Sequence, residues 1–249
     1  MYTLKDYLSE ALVKHKISNY DNGEVVDFGL SVKWLKYNLA GDKLTDDESD
    51  YGYYYQWGNT TGYPDASKHV FDWETTPYIK SAAGPTFTKY VTDSKFGTVD
   101  NKTILEPMDD AVTALLGSKY RMPTTGEYIE LYKHCGGIYN RLSNGITSIF
   151  KPGVYYVNDG TTVDGVKYKN SGCLFVGQDI TKRIFFPASG LCNDSSVYHV
   201  DSCGCYWASS LYLNYSDRAH RLDFDSGYIH LSGTSYRYRG FSVRGVKVK

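Results

Sequence analysis

A regular alternation of apolar and polar residues near the C-terminus predicts a β-hairpin. Between residues 221 and 232, four apolar side chains occur at alternate positions: Leu222, Phe224, Ile229 and Leu231. The positions around them carry polar or amphipathic side chains: Arg221, Asp223, Asp225, Tyr228, His230 and Ser232. Ser226 and Gly227 fit a two-residue turn between the two runs. Because side chains alternate across a strand, we expect one face to pack on a core and the other to face outward.

Periodicity and capping residues predict helices in three places. Residues 2–17 place leucines about four positions apart with Lys and Glu opposite, as in an amphipathic helix. Thr124 and Glu127 form a capping-box pattern at the start of a second helix, and Gly136 with Gly137 ends it. A third, short helix is predicted at residues 107–116.

Short strands and turns are predicted for most of the remaining chain. Residues 25–40 are predicted as one strand anchored by Trp34, residues 51–57 as an aromatic strand, and residues 183–187 as a buried strand. Residues 138–177 are predicted as an insertion of hairpins, with turns at Asn144-Gly145, Asp159-Gly160 and Asp164-Gly165. This mixture predicts an α+β domain with short antiparallel strands, two or more helices and long inserted loops.

Composition and charge exclude some classes of partner and leave others open. A net charge of −1 over 249 residues provides no basic surface for nucleic acid or an anionic membrane. No window is long and apolar enough for membrane insertion, and the N-terminus lacks a secretory signal pattern. Five cysteines, an odd number, predict free thiols in a reducing cytoplasm. The 25 tyrosines suit either a binding surface or a protein rich in half-buried strands.

Five residue types are missing from the C-terminal stretch. Residues 208–246 contain no Lys, Glu, Gln, Met or Trp, although the whole chain has 19 Lys, 7 Glu, 2 Gln, 3 Met and 4 Trp. A stretch of this length should hold roughly five such residues at the composition of this chain. The missing types are those that an AAY codon cannot encode after substitution of its adenines alone. The exclusion is therefore the pattern that adenine-directed mutagenesis leaves.

The same stretch resembles the variable C-terminal cassette of proteins diversified by retroelements, especially the kind found in gut Bacteroidetes and their phages. That cassette has the scaffold W-x-S-S…L-x-F-x-S-G…R-x-x-G-x-S-V-R. The matching residues are Trp207, Ser209, Ser210, Leu222, Phe224, Ser226, Gly227, Arg237, Gly240, Ser242, Val243 and Arg244. Further similarity covers roughly residues 25–58 and 119–249, and residues 59–118 carry none.

The resemblance implies an organisation for the whole chain. It implies a C-type-lectin-like fold, related to the formylglycine-generating enzymes, over residues 21–249. The variable cassette then spans about residues 206–246. From their periodicity, residues 1–20 are predicted to form a separate N-terminal helix for attachment or oligomerisation, and packing of this helix on the β domain is the alternative.

The outward side chains of the cassette are the predicted ligand-binding residues, and we expect most of them to be exposed on one contiguous face. They are Tyr212, Asn214, Tyr215, Asp217, Arg218, Arg221, Asp223, Asp225, Tyr228, His230, Ser232, Thr234, Tyr236, Tyr238 and Arg239. Tyrosine provides contact area with few rotamers, while Asp and Arg provide directional polar groups. No catalytic residue, metal ligand or cofactor is predicted. An ordinary Tyr-rich hairpin whose composition is accidental remains the alternative.

Other residues indicate chemistry less strongly. Cys203 and Cys205 are the only closely spaced cysteines, but their separation does not match the reactive pair of formylglycine-generating enzymes. Two small residues at a packed strand start are the simpler interpretation. The six histidines lack zinc-site spacing, and the cluster of His199, Asp201 and Cys203 has no nucleophile elbow. The acidic stretch 42–50 lacks the ligand spacing of a dedicated calcium loop.

These features predict a receptor-binding protein and not an enzyme. We expect a phage-tail adhesin, made in the host cytoplasm and carried in the virion, that binds a bacterial cell-surface protein or glycan. The N-terminal helix is expected to attach it to the particle or to form a homotrimer, as in a tail-fibre protein. Two alternatives stay open: a host-encoded adhesion domain at the bacterial cell surface, and an enzyme of the formylglycine-generating superfamily.

Overall fold

The protein is mostly β-structure, and the predicted α+β class is wrong. The computed structural model describes residues 24–142 and 147–249. It contains 40% strand and 10% helix, arranged as several small sheets. The physical reason is that the middle segment and the inserted hairpins supply additional strands, whereas the two described α-helices have only 6 and 10 residues.

The described residues contain eighteen strands and two α-helices. The strands are β1 (Val25–Val26), β2 (Val32–Ala40), β3 (Lys43–Leu44), β4 (Ile79–Ser81), β5 (Thr86–Phe87), β6 (Tyr120–Arg121), β7 (Tyr139–Arg141), β8 (Gly153–Val157), β9 (Thr162–Val163), β10 (Val166–Lys167), β11 (Gly172–Val176), β12 (Arg183–Pro187), β13 (Leu191–Asn193), β14 (Ser196–Tyr198), β15 (Cys203–Leu211), β16 (Arg218–Asp225), β17 (Ile229–Tyr236) and β18 (Arg244–Val248). The helices are α1 (Ala111–Leu116) and α2 (Thr125–His134), with 3₁₀ turns at Ser94–Phe96 and Pro107–Asp109.

The strands pair into three larger sheets and three two-stranded ones. The five-stranded sheet has the order β1-β2-β18-β6, with β3 also paired to β2. The four-stranded sheet has the order β12-β11-β8-β7, in which the β7–β8 pair is parallel. Strands β15, β16 and β17 form the three-stranded sheet, which carries most of the predicted cassette. Because β18 lies between β2 and β6, both ends of the described chain share one sheet.

Two predicted strands differ from the structure. Residues 25–40 form the β1–β2 hairpin and not a single strand. The chain reverses there because Gly29 has a φ of 78° and its amide donates to Asp27 Oδ1 at 2.9 Å. Residues 51–57 form no continuous strand and make isolated bridges, which are Tyr54 with Tyr63 and Tyr55 with Phe241.

Other predicted elements are confirmed or lie outside the described residues. Asp164 and Gly165 both have positive φ and connect β9 to β10, as predicted for this turn. The buried strand that ends at Pro187 is β12. The short helix predicted at residues 107–116 is present as a 3₁₀ turn followed by α1. The N-terminal helix and the turn at Asn144-Gly145 fall outside the described residues.

Strand β15 runs between the two main hydrophobic clusters of the core. Tyr206 lies in one cluster and Trp207 in the other, as alternation in a strand requires. Trp207 Nε1 donates to the Tyr55 carbonyl at 2.7 Å, and Trp57 Nε1 donates to the Ala208 carbonyl at 2.9 Å. These reciprocal hydrogen bonds hold the aromatic segment of residues 55–57 against β15.

A buried arginine joins three strands. The side chain of Arg244 has no exposed surface, and burial lowers its pKa. The guanidinium donates to the carbonyls of Leu35 (3.1 Å), Lys36 (2.5 Å) and Phe185 (2.8 Å) and to Asn38 Oδ1 (2.8 Å). Since these oxygens replace the water that the charge loses on burial, Arg244 ties β2 and β12 to β18.

Helix α2 supports the three-stranded sheet. The predicted capping box is confirmed, because Thr124 Oγ1 accepts from the Glu127 amide and Glu127 Oε2 accepts from the Thr124 amide. Gly136 and Gly137 have positive φ where the helix ends, as predicted. The helix contacts β15, β16 and β17. Neither of the two described helices has the length and apolar character needed to cross a membrane.

Truncation of a side chain should destabilise the protein much more on the buried face of the β16–β17 hairpin than on its exposed face. Phe224 is fully buried, with its ring stacked 6.3 Å from that of Tyr206, whereas Tyr228 is 38% exposed. We expect Phe224→Ala to lower the free energy of unfolding by about 3–5 kcal/mol, and Tyr228→Ser to change it by roughly 1 kcal/mol or less. Urea denaturation of the two variants measures the difference. The reverse order would contradict this assignment of the faces.

Glu127 predicts a pH-dependent contribution to stability. Burial raises the pKa of its carboxyl, but hydrogen bonds from Arg121 and the Thr124 amide outweigh burial and hold that pKa below its usual value. Such a carboxylate stabilises the fold above its unfolded-state pKa and loses this contribution as the pH falls through its folded-state pKa. We therefore expect the wild-type protein to be more stable than Glu127→Gln at neutral pH, with a difference that shrinks below about pH 4.3. Denaturation curves across this range test it, and a constant difference would refute it.

Candidate functional site

Next to its turn the β16–β17 hairpin has the predicted register, and a bulge between Asp223 and Arg221 shifts the pairing by one residue, so that Arg221 pairs with Gly233. Phe224 pairs with Ile229, and the Asp225 amide donates to the Tyr228 carbonyl at 3.1 Å across the turn. Asp225 Oδ1 also accepts from the Gly227 amide at 2.7 Å, which holds the turn closed. The Tyr139 hydroxyl donates to the Asp225 carbonyl and anchors this end of the hairpin on the four-stranded sheet. The predicted apolar face is confirmed, because its side chains pack on one core cluster.

The expectation that most of the predicted binding residues are exposed is wrong, because strand packing covers part of most of these side chains. Five are exposed: Asn214, Tyr215, Tyr228, His230 and Ser232. Nine are half-buried: Tyr212, Asp217, Arg218, Arg221, Asp225, Thr234, Tyr236, Tyr238 and Arg239. One is buried, Asp223, which is only 2% exposed.

Asp223 is therefore not the outward-facing side chain that alternation predicted. Its Oδ1 lies 3.2 Å from Arg221 Nε, and its Oδ2 lies 3.6 Å from His230 Nδ1. Gly233 provides the space for it, because a Cβ there would lie 2.1 Å from Asp223 Oδ1. Burial alone would lower the pKa of Arg221, but the adjacent Asp223 carboxylate raises it. Asp223 thus positions Arg221 and His230, and the side chains of these two residues reach the surface.

Contacts between side chains define two groups among the predicted binding residues. We call Asp225, Tyr228 and His230 the hairpin-tip group. The Tyr228 and His230 rings lie 4.6 Å apart, beside the turn. In β16, alternation places Arg221 and Asp223 on one side of the sheet and Arg218 on the other. The predicted residues therefore do not share a single face of this sheet.

The second set is the aromatic group, which comprises Tyr212, Tyr215, Arg218, Tyr236 and Tyr238. The rings of Tyr236 and Tyr238 are stacked at 5.7 Å, and those of Tyr212 and Tyr215 at 6.1 Å. Arg218 links the two pairs, with its guanidinium 4.4 Å from the Tyr236 ring and 5.9 Å from the Tyr215 ring. Arg218 Nη2 also donates to the Tyr236 hydroxyl at 3.1 Å. Arg218 thus joins the two ring pairs through cation–π contacts.

The middle segment, for which no role was predicted, contributes to the aromatic group. The Trp73 ring lies 4.7 Å from Tyr238 and 5.5 Å from Tyr236. Lys95 Nζ lies 4.7 Å from the centre of the Tyr215 ring. Sequence patterns missed both residues because they lie more than 100 positions before their partners, in a segment without periodicity. Their only signal was the presence of a tryptophan among turn residues.

A second buried arginine holds the aromatic group from below. Arg237 has no exposed surface, and its guanidinium lies 4.1 Å from the Phe87 ring and 4.9 Å from the Trp57 ring. It donates to the Ser216 carbonyl at 3.2 Å, and burial lowers its pKa to about 9. Since Tyr236 and Tyr238 flank it in sequence, its immobilisation sets the position of both rings.

Asn214 and Asp217 adjoin the aromatic group. Asn214 Nδ2 donates to the Tyr212 hydroxyl at 3.1 Å. Asp217 is half-buried, and burial raises the pKa of its carboxyl. The arrangement suits binding through aromatic contact area and a few charged groups.

The other candidate features lie apart from the predicted binding residues, and the acidic stretch 42–50 forms ion pairs. In the acidic stretch 42–50, Asp46 pairs with Lys43 at 2.6 Å and Asp47 pairs with Lys169 at 2.6 Å. Among residues 24–142 and 147–249, no cluster of three His, Cys, Asp or Glu side chains is arranged to hold a metal ion. A groove of about 540 Å³, bordered by Lys36, Glu48 and Arg183, includes none of the predicted binding residues.

Comparison of this chain with protein-family models, with curated proteins and with solved structures gives no match. The functional interpretation therefore depends on the sequence pattern and on the geometry of the two groups.

Two glycines of the hairpin predict different tolerance to an added methyl group. At Gly233 the new Cβ would collide with Asp223, whereas at Gly227 it would lie 3.5 Å from Asp225 Oδ1, an ordinary contact. We expect Gly233→Ala to expel the Asp223 carboxylate and to lower the free energy of unfolding by about 1–3 kcal/mol. Gly227→Ala, the matched control, should cost less. Equal effects in urea denaturation would mean that the Asp223 side chain is not confined by Gly233.

Proposed function

We propose that this chain is a ligand-binding protein whose C-terminal surface has been diversified by a retroelement. One observation carries the proposal, which is the difference in burial between two sets of cassette residues. Nine of the twelve motif residues are buried: Trp207, Ser209, Leu222, Phe224, Arg237, Gly240, Ser242, Val243 and Arg244. Of the fifteen predicted binding residues, only Asp223 is buried. Apart from Asp223, the second set can therefore vary without replacing a buried side chain of the first set.

The missing residue types support the same proposal independently. Adenine-directed mutagenesis of AAY codons excludes Lys, Glu, Gln, Met and Trp, and residues 208–246 lack all five. The aromatic group is nevertheless contacted by a tryptophan and a lysine, Trp73 and Lys95, and both come from outside this stretch. The binding surface would therefore combine constant anchors with variable neighbours.

The aromatic group has the features of an interface centre. Tyr, Trp and Arg dominate the residues on which binding energy depends, and here all three are held in position by mutual contacts. Side chains that are fixed before binding lose less conformational entropy when a ligand arrives. Such a surface suits a macromolecule or a glycan better than a small molecule enclosed in a pocket.

The proposed ligand is a bacterial cell-surface protein or glycan, and the proposed setting is a phage tail. A host-encoded adhesion domain would use the same surface. Both settings require a reverse transcriptase gene and an adenine-rich template repeat nearby. They differ in the neighbouring genes, because only the phage setting requires tail genes. Absence of both the reverse transcriptase and the repeat from the locus would refute diversification by a retroelement.

Binding should depend on both the constant and the variable parts of the aromatic group. We expect Trp73→Ala and Tyr236→Ser each to weaken binding at least about tenfold, as loss of an interface anchor does. Binding of the labelled protein to a panel of intact bacteria and of isolated surface glycans provides the measurement.

Tyr198→Ser is the matched control, because Tyr198 is 44% exposed and lies outside the cassette. It should bind as the wild-type protein does, and thermal melting should show that all three variants are folded. Unchanged binding by folded Trp73→Ala and Tyr236→Ser would exclude the aromatic group as the binding surface.

A further inference from the structure

Two cysteines lie side by side at the start of β15. Cys203 and Cys205 are two residues apart in the strand, so their side chains point to the same side. Their sulfur atoms are 3.6 Å apart. Gly204 between them has no room for a side chain, because a Cβ would lie 2.1 Å from the Phe224 ring. The close packing of Gly204 therefore keeps this part of the strand in place and the two thiols adjacent.

The two thiols differ in access and in acidity. Cys203 is half-buried, whereas Cys205 is 1% exposed. The hydrogen bond from Cys205 lowers the pKa of Cys203, and the same contact together with burial raises the pKa of Cys205. The other cysteines, Cys135, Cys173 and Cys192, have no exposed surface. Cys203 is thus the thiol that a reagent reaches first, with a second thiol next to it.

We propose that Cys203 and Cys205 form a thiol–disulfide exchange site for small-molecule disulfides. The Cys203 thiolate attacks one sulfur of the disulfide RSSR, the S–S bond breaks, and RS⁻ leaves and takes a proton from water. Cys205 then loses its proton to water and attacks the Cys203 sulfur, which releases the second RS⁻. Both cysteines are oxidised, and one RSSR is reduced to two RSH.

The resulting disulfide is of the reversible type. Residues two apart in an extended strand have Cα atoms about 6.6–6.8 Å apart, at the upper end of the range that a disulfide spans. Closing the bond requires β15 to contract locally, and strained disulfides are the more easily reduced ones. Contraction also affects β16, because Cys203 pairs with Asp225 and Cys205 with Asp223. Oxidation therefore acts on the strand that presents the hairpin-tip group.

The experiment exposes the native, full-length protein to excess glutathione disulfide and determines the products by intact mass and peptide mapping. We expect the wild-type protein to lose two hydrogens through a Cys203–Cys205 bond. Cys205→Ser should instead hold glutathione on Cys203, because the second step cannot occur. Cys203→Ser should acquire neither product, and Cys192→Ala, a control at a fully buried thiol, should react as the wild-type protein does.

Alkylation of the wild-type protein provides a test that needs no variant to fold. A limiting amount of iodoacetamide should label Cys203 before any other cysteine. Labelling or glutathionylation of Cys135, Cys173 or Cys192 ahead of Cys203 would overturn the proposal. So would a native protein whose thiols all react only after denaturation.

Discussion

Two buried arginine side chains set the geometry on which the rest of the C-terminal region depends. Arg237 and Arg244 are fully buried, and the hydrogen bonds described for them go to backbone carbonyls and to one amide side chain, Asn38. Removing a guanidinium from water is costly. The oxygens around Arg244 offset this cost, whereas Arg237 Nε and Nη2 have no hydrogen-bond partner among the described residues and the guanidinium lies against the Phe87 and Trp57 rings. The segment between the two arginines is consequently fixed at both ends. Within it, Phe241 packs against Trp207 with the ring centres 4.2 Å apart.

This constraint separates the parts of the surface that can change from those that cannot. Tyr236 and Tyr238 flank Arg237, and their rings contact Trp73 from the middle segment. Their backbone is held by the arginine, so replacement of either ring alters the surface without releasing the strand. Asp223 is the exception among the predicted binding residues, because its carboxylate occupies the space beside Gly233. A residue of another shape there would disturb Arg221 as well as the surface.

The hairpin-tip group and the aromatic group are linked to different parts of the core. The tip is held by the hydrogen bond from Tyr139 to the Asp225 carbonyl and lies across the ladder from Cys203. The aromatic group is held by Arg237 and by the middle segment. The proposed oxidation of the two thiols would therefore act on the hairpin-tip group through the β15–β16 ladder.

Local chemistry was predictable from the sequence wherever a single element decided the outcome. The alternation at Leu222 and Phe224 predicted which face of the hairpin is buried, because period two leaves only two choices of face. The capping box of Thr124 and Glu127 predicted where α2 begins, because its hydrogen bonds join residues three apart. The predicted fold class was wrong, because the turn-rich stretches have no periodicity that would indicate the strands they form.

By itself, the sequence determined the pairing next to the hairpin turn, the start of α2 and the residue types missing from residues 208–246. These follow from contacts between near neighbours or from composition. Only the tertiary structure decided that Asp223 is buried, that Trp73 joins the aromatic group and that Arg237 lies among aromatic rings. Each of these outcomes depends on residues far apart in the chain, and whether a side chain is covered depends on which distant segment packs over it. Periodicity states which side of a strand a residue occupies, but not what occupies the space beyond it.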